Sequence, residues 1–438
     1  TEKPSTPRFT KRQEVFDLDC ARVLAGDKDY MKQKKRRVLV PTPKEQLDMS
    51  CDAIRTRILP PRNPNTGFPI AYVKVVYTDY EFLEEQLAIT YAKENYYCFA
   101  TDKNAGFLPY FLGFQLSHFH FRYRIDGLTI RLFQANLEFR RHIIALSTCL
   151  PNVLLAGEDY KLDSAGHFQT HAIFDCMEHL RDKRWNYMLS LQNHDVMIKT
   201  NSEIVQVLKS LGGSSDMEML LCPNDGRCSG INTNMGALDL CPKDMNPVER
   251  LECGKKTLTF GKGSMEIALS REVADHLLNK IDYKLFQDEL NKNGYGIDEI
   301  FFQSAFVTRE MQVPGGYPAR CLLPGSTRED ITMTRLSHWQ THDKRCGSGI
   351  WRHSLCVFGM EDVAYLASEN YVMANKLIPT SDYGAIACMA EILFNRTHYG
   401  LSDHPLNLTH YENLPMPQFY RARKGDANAF ETFKCPFN

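Results

Sequence analysis

Hydrophobic residues between positions 68 and 103 change their spacing twice. FPIAYVKVVYTDY (residues 68–80) is rich in β-branched and aromatic residues and predicts a strand. EFLEEQLAITYA (residues 81–92) has helical spacing, and NYYCFATDK (residues 95–103) predicts a second strand that ends in Asp102. The pattern therefore predicts a β-α-β unit.

Another strand and another helix follow further along the chain. RWNYMLSLQNHD (residues 184–195) predicts a buried strand that ends in an acid. TNSEIVQVLKSLGG (residues 200–213) predicts a helix with Thr200 or Asn201 as its cap and Gly212 at its end.

The predicted strands place Asp102 and Asp195 at their carboxyl ends. Acids at the carboxyl ends of successive strands mark the ligand edge of an open α/β sheet. Either acid taken alone is also compatible with an ordinary turn aspartate.

The first 66 residues are polar. They contain the basic run KQKKRR (residues 32–37) and the proline-rich LPPRNPNTG (residues 59–67). Such a run is usually a solvated face. We therefore expect residues 1–66 to form a stem and N-terminal segment, and residues 67–438 to form one large α/β domain.

Composition limits the classes of partner and the compartment. The 438 residues carry a net charge of −1, so no global basic field indicates nucleic acid as a partner. No apolar run reaches the roughly 18 residues of a membrane span, and we expect any anchor to lie outside this chain. The 14 cysteines, together with sequons at Asn395 and Asn407, favour the secretory pathway.

The stretch GYGIDEIFF (residues 294–302) places Asp298 and Glu299 directly before an apolar run. One interpretation is a helix start, because acids favour the positive end of the helix dipole. The other is a catalytic base at the edge of a pocket. The spacing alone leaves both interpretations open.

Eight stretches along the chain form an ordered set: DCARVLAGD, FPIAYVKVVY, NYYCFATDK, FDCMEHL, WNYMLSLQNHDVMIKTNSEIVQVLK, ALSREV, YGIDEIFF and CVFGMEDVAYLASENYVMANK. In this order they resemble the core-2/I-branching β-1,6-N-acetylglucosaminyltransferase family, which is glycosyltransferase family 14. The resemblance covers most of the chain.

The resemblance implies an α/β, GT-A-like glycosyltransferase fold, with an open mixed sheet flanked by helices and stapled by disulfides. It implies a Golgi type II membrane protein, with this chain as its luminal part. The expected partners are a UDP-sugar donor and a glycan or glycoprotein acceptor. The expected reaction is inverting transfer of N-acetylglucosamine from UDP-N-acetylglucosamine to a hydroxyl, expected to be the 6-hydroxyl, of galactose or N-acetylgalactosamine.

Glu299 matches the catalytic base of the family. An inverting displacement needs a single carboxylate to accept the proton of the acceptor hydroxyl. Asp298 is then expected to be a cap or a supporting group. The family usually has Ser-Pro where this chain has Gly296 and Ile297, a difference that puts full activity in doubt.

Many GT-A enzymes hold Mn²⁺ with an Asp-x-Asp pair after a mid-sheet strand. This chain has QNHD there, and its Asp-x-Asp spacings, Asp17/Asp19 and Asp27/Asp29, precede the sheet. The family works without a metal. We therefore expect no divalent metal and no other cofactor.

The family instead uses an arginine and a lysine as fixed cations against the diphosphate. Lys376 matches the lysine. Counted from Cys346 the arginine position is Arg352, but counted from Cys356 it is His353. Arg352 is the better physical candidate, because a guanidinium is always charged and binds two phosphate oxygens.

The remaining site residues follow from the same resemblance. Val76, Tyr77 and Asp102 are expected to contact the base or ribose of the nucleotide. Asp195 is expected to line the donor-sugar pocket. Trp339 resembles an acceptor-side tryptophan that stacks on a sugar, although a core role is equally compatible.

Two segments depart from the family. An aromatic insertion near residues 104–148 is compatible with an added subdomain or an interface patch, and its HFHF (residues 118–121) lacks companion ligands for a metal. Residues 222–253 occupy the place where family members have a segment that carries acceptor-binding basic residues. Their four cysteines do not have zinc spacing, so we expect disulfides there, and acceptor identity does not carry over.

Matching cysteines to the family implies the disulfides Cys20–Cys388, Cys51–Cys149, Cys98–Cys176 and Cys346–Cys356. The resemblance leaves unassigned the pairing of Cys222, Cys228, Cys241, Cys253, Cys321 and Cys435.

Two other functions remain open. One is a sister glycosyltransferase that uses UDP-xylose or another UDP-sugar. The other is a catalytically silent glycan-binding descendant, which the Gly296-Ile297 pair and the long insertion would suit.

Overall fold

A computed structural model describes residues 7–61, 65–105, 126–222, 227–322, 331–341, 345–401 and 403–436, with the side chains of the helix that begins at Asp126 described from residue 137. The described helices are Cys20–Leu24 (α1), Lys28–Gln33 (α2), Cys51–Ile58 (α3), Tyr80–Thr90 (α4), Asp126–Cys149 (α5), Gln169–His179 (α6), Asn201–Ser210 (α7), Pro247–Gly254 (α8), Arg271–Lys280 (α9), Lys284–Leu290 (α10), Phe301–Val307 (α11), Val363–Ser368 (α12), Pro379–Tyr399 (α13), Leu408–Glu412 (α14), Pro415–Gly425 (α15) and Ala429–Thr432 (α16). The described strands are Ile70–Val76 (β1), Tyr96–Thr101 (β2), Val153–Leu155 (β3), Tyr187–Leu191 (β4), Val196–Met197 (β5), Leu220–Leu221 (β6), Gly261–Lys262 (β7), Ala268–Ser270 (β8), Arg335–Leu336 (β9), Trp351–Arg352 (β10), Leu355–Cys356 (β11) and Met373–Ala374 (β12).

The central sheet has the strand order β3-β2-β1-β4-β8. The first four strands are parallel, and β8 pairs antiparallel to β4. The predicted β-α-β unit is confirmed as β1, α4 and β2, with Val76 paired to Thr101. The sheet is therefore mixed, as expected.

Helices cover both faces of this sheet. Alternate residues of β1 enter two different apolar cores, with Ile70, Tyr72 and Val76 in one and Ala71, Val73 and Val75 in the other. Helices α4, α5, α7 and α13 contribute to the first core, and α6, α9, α10 and α11 contribute to the second. β1 is buried along its whole length, which explains its nearly continuous hydrophobic sequence.

The start of α7 agrees with the sequence pattern. Thr200 is the N-cap and forms a reciprocal capping box with Glu203. Gly212, with φ +64°, follows the end of the helix. Of the two caps that the pattern allowed, the structure therefore has Thr200.

The N-terminal segment differs from the expected solvated stem. Val15, Val23 and Ile54 are buried in the first of these two cores. Arg36, from the basic run, donates to the Ser348 carbonyl at 2.6 Å and pairs with Glu361 at 3.2 Å. Helices α1 to α3 have only five to eight residues, too few for apolar periodicity to reveal their packing.

Seven disulfides include all 14 cysteines. The four pairs that the resemblance implied are disulfides in the structure: Cys20–Cys388, Cys51–Cys149, Cys98–Cys176 and Cys346–Cys356. The other three are Cys222–Cys228, Cys241–Cys253 and Cys321–Cys435. The cysteine-rich segment thus contains two local disulfides.

The second half of the expected insertion belongs to a core helix. In α5 the side chains of Phe139, Ile143 and Leu146 are buried in the first core, and the helix packs against α3.

The HFHF motif (residues 118–121) lies outside the described residues. Among the helices that the structure describes, none is both long enough and apolar enough to cross a membrane.

Candidate active site

The carboxyl ends of β1, β2 and β4 meet at one edge of the sheet. Because these strands are parallel and in register, Tyr77, Asp102 and residues 192–195 all emerge at this edge. Ligands of open α/β sheets bind at such an edge.

The end of β1 is tied to the segment that follows β4. The Asn193 side-chain oxygen accepts from the backbone N–H of Tyr77 at 2.8 Å and of Thr78 at 3.1 Å. The Tyr77 hydroxyl lies 3.3 Å from Nδ1 of His194. Val76 is fully buried, so of the two expected nucleotide contacts here only Tyr77 offers a side chain to solvent.

Asp195 is buried and supports the neighbouring lysine position. Its carboxylate accepts from Nδ2 of Asn375 at 2.7 Å, and Asn375 directly precedes Lys376. Burial, followed by the charge of Arg352, lowers the pKa of Lys376 to about 8, and the charge of Asp195 opposes this shift. Lys376 is therefore a partly desolvated cation at the sheet edge.

Arg352 and His353 occupy different places in one β-hairpin. β10 and β11 are joined by a two-residue turn, in which His353 has φ +51° and Ser354 has φ +62°. Positive φ at both positions is the type I′ turn that suits a two-residue hairpin. Arg352 lies in the strand and is half-buried, whereas His353 is exposed at the turn. Burial, then the charges of Lys376 and Arg352, lower the pKa of His353.

Glu299 lies at the end of a short 3₁₀ turn, Ile297–Glu299, that leads into α11. Its carboxylate pairs with Arg227 at 3.0 Å and with Lys262 at 3.4 Å, and its side chain is 27 % exposed. The Glu299 carbonyl accepts from Gly263 N–H at 2.9 Å. Glu299 is thus an accessible carboxylate held between two cations.

A neighbouring loop fixes the turn that carries Glu299. The Ala165 carbonyl accepts from the N–H of Gly296 at 2.7 Å. Gly166, with φ +94°, lies against Asp298: a Cβ at Gly166 would lie 2.1 Å from Asp298 Oδ1. Burial, followed by the charge of Glu299, raises the pKa of Asp298. Asp298 is therefore buried against the loop at Gly166.

Arg335 connects the Glu299 region with Lys376. It is paired with the fully buried Glu266 at 2.7 Å. Burial alone would lower the pKa of Arg335, but the charges of Glu266, Asp195, Glu218 and Glu299 raise it. The charge of Arg335 also lowers the pKa of Lys376. One buried guanidinium thus lies within electrostatic reach of both halves of the site.

The remaining expected residues are less central. Trp339 is half-buried and pairs with Leu355, next to the cationic hairpin. The Asp102 carboxylate accepts from the N–H of Asn104 and Leu162, so it holds a loop at the same edge.

In the part of the chain that is described, no group of three or more His, Cys, Asp or Glu residues is arranged to hold a metal ion.

Several groups of the site escaped the sequence analysis. They are Asp79, Asn193, His194, Glu218, Arg227, Lys262, Glu266, Arg335 and Asn375. His194 and Asn375 adjoin residues that the resemblance identified, so their position in QNHD and MANK was an available signal. Arg227 and Lys262 approach Glu299 only through the fold, and no local pattern marks them.

Comparison with known proteins defines the class. A family profile described as "Core-2/I-Branching enzyme" matches residues 133–367, more than half of the 438-residue chain. The chain therefore belongs to the core-2/I-branching enzyme family, and it is an enzyme of the glycosyltransferase class.

Curated relatives extend the similarity over most of the chain. The human beta-1,3-galactosyl-O-glycosyl-glycoprotein beta-1,6-N-acetylglucosaminyltransferase 3 is 26% identical over 420 residues, which cover 90% of this chain and 86% of the relative. The Rattus norvegicus protein of the same name is 25% identical over 404 residues, covering 89% and 78%. A Bovine herpesvirus 4 (strain LVR140) relative, named without the final number, is 25% identical over 408 residues, covering 87% and 83%.

Proposed function

We propose that this protein transfers N-acetylglucosamine from UDP-N-acetylglucosamine to a hydroxyl, the 6-hydroxyl, of galactose or N-acetylgalactosamine in an O-glycan or a related branched glycan, with inversion at the anomeric carbon. The observation that carries the proposal is that the largely buried Arg335 lies within electrostatic reach of both Glu299, an accessible carboxylate, and Lys376, and that Arg352 acts on the same lysine. The names of the relatives supply the sugar and the linkage.

In this reaction Glu299 accepts the proton of the acceptor hydroxyl as the oxygen forms a bond to the anomeric carbon. The bond from that carbon to the diphosphate breaks on the opposite face. The electron pair of the broken bond stays with UDP. Arg352 and Lys376 stabilise the negative charge that develops on the leaving diphosphate.

We propose that the enzyme needs no divalent metal and has a GT-A-like fold. The cationic pair supplies the charge that a bound Mn²⁺ would supply in metal-dependent enzymes. The order of the four parallel strands, with the cations and Tyr77 near their carboxyl edge, supports the fold assignment.

A donor screen tests the proposed reaction. Purified protein is incubated with UDP-N-acetylglucosamine, UDP-xylose and UDP-glucose, with and without an aryl galactosyl-N-acetylgalactosaminide, and released UDP is measured. We expect acceptor-dependent release from UDP-N-acetylglucosamine, with a new β-1,6 linkage by NMR. Preference for UDP-xylose would favour the sister-enzyme function. No consumption of any donor by folded protein would favour the glycan-binding function.

We further propose a Golgi luminal location, with a membrane anchor outside this chain and N-glycans at Asn395 and Asn407. The seven disulfides support an oxidising compartment. Asn407 is exposed at the start of α14, and Asn395 is half-buried on α13. Mass spectrometry after enzymatic deglycosylation of secreted protein tests both sites.

A further inference from the structure

A chain of hydrogen bonds runs from the sheet edge into the protein. The Tyr77 hydroxyl lies 3.3 Å from Nδ1 of His194, and Nε2 of the same ring lies 2.9 Å from Oδ2 of Asp79. His194 is 4% exposed and Tyr77 is 38% exposed. The chain therefore connects a buried imidazole to a hydroxyl at the edge where the donor nucleotide is proposed to bind.

Opposite charges act on this imidazole from different elements. The titratable or charged groups that face it are Tyr77 after β1, Asp79 before α4, Arg352 in β10 and Lys376 after β12. Burial lowers the pKa of His194, Asp79 opposes the shift, and the two cations lower it further. Without a bound anion, His194 is therefore neutral near pH 7: Nε2–H donates to Asp79, and Nδ1 accepts from the Tyr77 hydroxyl.

We propose that binding of the donor diphosphate makes His194 take up a proton, and that this turns the Tyr77 hydroxyl into a hydrogen-bond donor to the nucleotide. The inference rests on the proposed UDP-sugar donor. His194 does not touch the reacting atoms, so it is a positioning residue.

The proton balance of the step is simple. A proton from solvent adds to Nδ1 of His194. The covalent Tyr77 O–H and His194 Nε2–H bonds stay intact. The new Nδ1–H donates to the Tyr77 oxygen, which until then donated to Nδ1. The Tyr77 O–H is thereby released toward the nucleotide edge, while Nε2–H continues to donate to Asp79.

The diphosphate drives this uptake by electrostatics. Its negative charges offset those of Arg352 and Lys376, which removes their contribution to the lowered pKa of His194 and leaves burial as the remaining cause. Asp79 remains and stabilises the imidazolium. Because protonation also gives Tyr77 a new partner on the nucleotide, donor affinity should rise as pH falls through the range in which His194 titrates.

The test is calorimetric titration of UDP-N-acetylglucosamine in buffers of different ionisation enthalpy, at about pH 5.5 to 7. Both phosphates of this donor are esterified, so its charge is constant, and Lys376 is already protonated below its pKa of about 8. We expect the wild type to take up a fraction of one proton and to bind about three- to tenfold more tightly at the lower pH, since each unit of pKa change corresponds to tenfold in affinity.

Matched variants assign the proton. His194→Gln should lose the proton uptake that accompanies donor binding, and Asp79→Asn should reduce this uptake. Tyr77→Phe should keep most of the uptake but raise the donor KM severalfold, with little change in kcat. His353→Asn removes the other histidine near the same cations while keeping a residue that tolerates positive φ, and the uptake should persist in it. Melting temperatures show which variants are folded.

The outcomes separate this inference from the proposed function. Equal proton uptake in wild type and His194→Gln, or loss of uptake in His353→Asn, overturns the role of His194. Binding of the donor with no uptake in the wild type also overturns it, and leaves the proposed function intact. If neither UDP-N-acetylglucosamine nor UDP-xylose binds the folded wild type, the proposed donor class fails first.

Discussion

At the residue scale, Arg227 and Lys262 define the surroundings of the Glu299 carboxylate. Both cations lie within 3.4 Å of its carboxylate. An acceptor hydroxyl must approach Glu299 beside these two side chains. Neither cation comes from the turn that carries Glu299.

Replacing Glu299 by Gln should remove transfer and preserve donor binding. Only the proton-accepting group is lost, so kcat should fall by on the order of 10²–10⁴-fold. Calorimetry with UDP-N-acetylglucosamine should give an affinity close to that of the wild type. Glu412→Gln, at an exposed position of α14, serves as the control. Wild-type turnover in Glu299→Gln would refute the assignment.

Arg352→Ala and Lys376→Ala should each fold and lose activity. A phosphate contact in a partly desolvated site contributes on the order of 2–4 kcal/mol to transition-state stabilisation, and kcat/KM reports its loss. His353→Asn should have a milder effect, because His353 lies in the exposed turn. The reverse ranking would show that the family arginine corresponds to position 353.

Chelation should leave the rate of the wild type unchanged. Arg352 and Lys376 supply positive charge without a bound metal ion, so treatment with EDTA should not alter UDP release. Loss of activity in EDTA that Mn²⁺ restores would replace this mechanism with a metal-dependent one.

The donor affinity should fall above about pH 8, where Lys376 loses its proton. Its pKa is lowered, so the ammonium is present below that value and absent above it. Lys376→Arg keeps the charge at all accessible pH values and should remove this dependence. The donor KM of the wild type and of Lys376→Arg, measured across pH values below and above 8, checks this prediction. A KM that rises equally in both would assign the effect to another group.

At the scale of elements, the turn Ile297–Glu299 and the loop around Gly166 act as one unit. The turn donates to the Ala165 carbonyl, and Asp298 occupies the space beside Gly166. A glycine is required here because φ is +94° and because no room exists for a methyl group.

Gly166→Ala should therefore impair catalysis. The new methyl group would displace Asp298 and with it Glu299, and a shift of about 1 Å can lower kcat on the order of 10²-fold. Gly212→Ala is the matched control: its φ is +64°, but a methyl group there meets nothing within 4 Å. Both variants should lose about 1 kcal/mol or more of stability. Equal kcat values in the two would show that Gly166 has no role in placing Glu299.

Local patterns predicted the elements and missed the contacts between them. β1, α4 and β2 follow from spacing because each is buried through its own sequence. The sequence also left Arg352 and His353 open as alternatives, since counting cannot reveal that Arg352 ends a strand and His353 begins the turn. Arg335 was missed because its importance depends on Glu266 and Lys376, which lie far from it in the chain.

At the scale of the whole molecule, an N-terminal helix and a C-terminal helix are joined. Cys20 of α1 is bonded to Cys388 of α13, and Arg37 O accepts from Tyr383 N–H in the same helix. α13 begins three residues after Lys376. The N-terminal segment therefore supports the region that carries one of the two proposed diphosphate cations.

Removing the Cys20–Cys388 disulfide should destabilise the protein more than removing a local one. The two cysteines are 368 residues apart, whereas Cys241 and Cys253 are 12 apart. In the chain-entropy model the losses are about 6 and about 3 kcal/mol. Double alanine variants compared by melting temperature test the ranking. Peptide mapping under non-reducing conditions that found free thiols at Cys20 and Cys388 would contradict the pairing itself.

The Cys20–Cys388 bond also sets the order of events during biosynthesis. At about 5–20 residues per second, a ribosome needs on the order of 20–70 s to add the 368 residues between the two cysteines. Cys51 and Cys149, by contrast, are only 98 residues apart. Cys20 thus waits as a thiol, or in a temporary bond, until most of the sequence has been synthesised. Closure of this bond is therefore a late event, and the region around Lys376 acquires its covalent support only then.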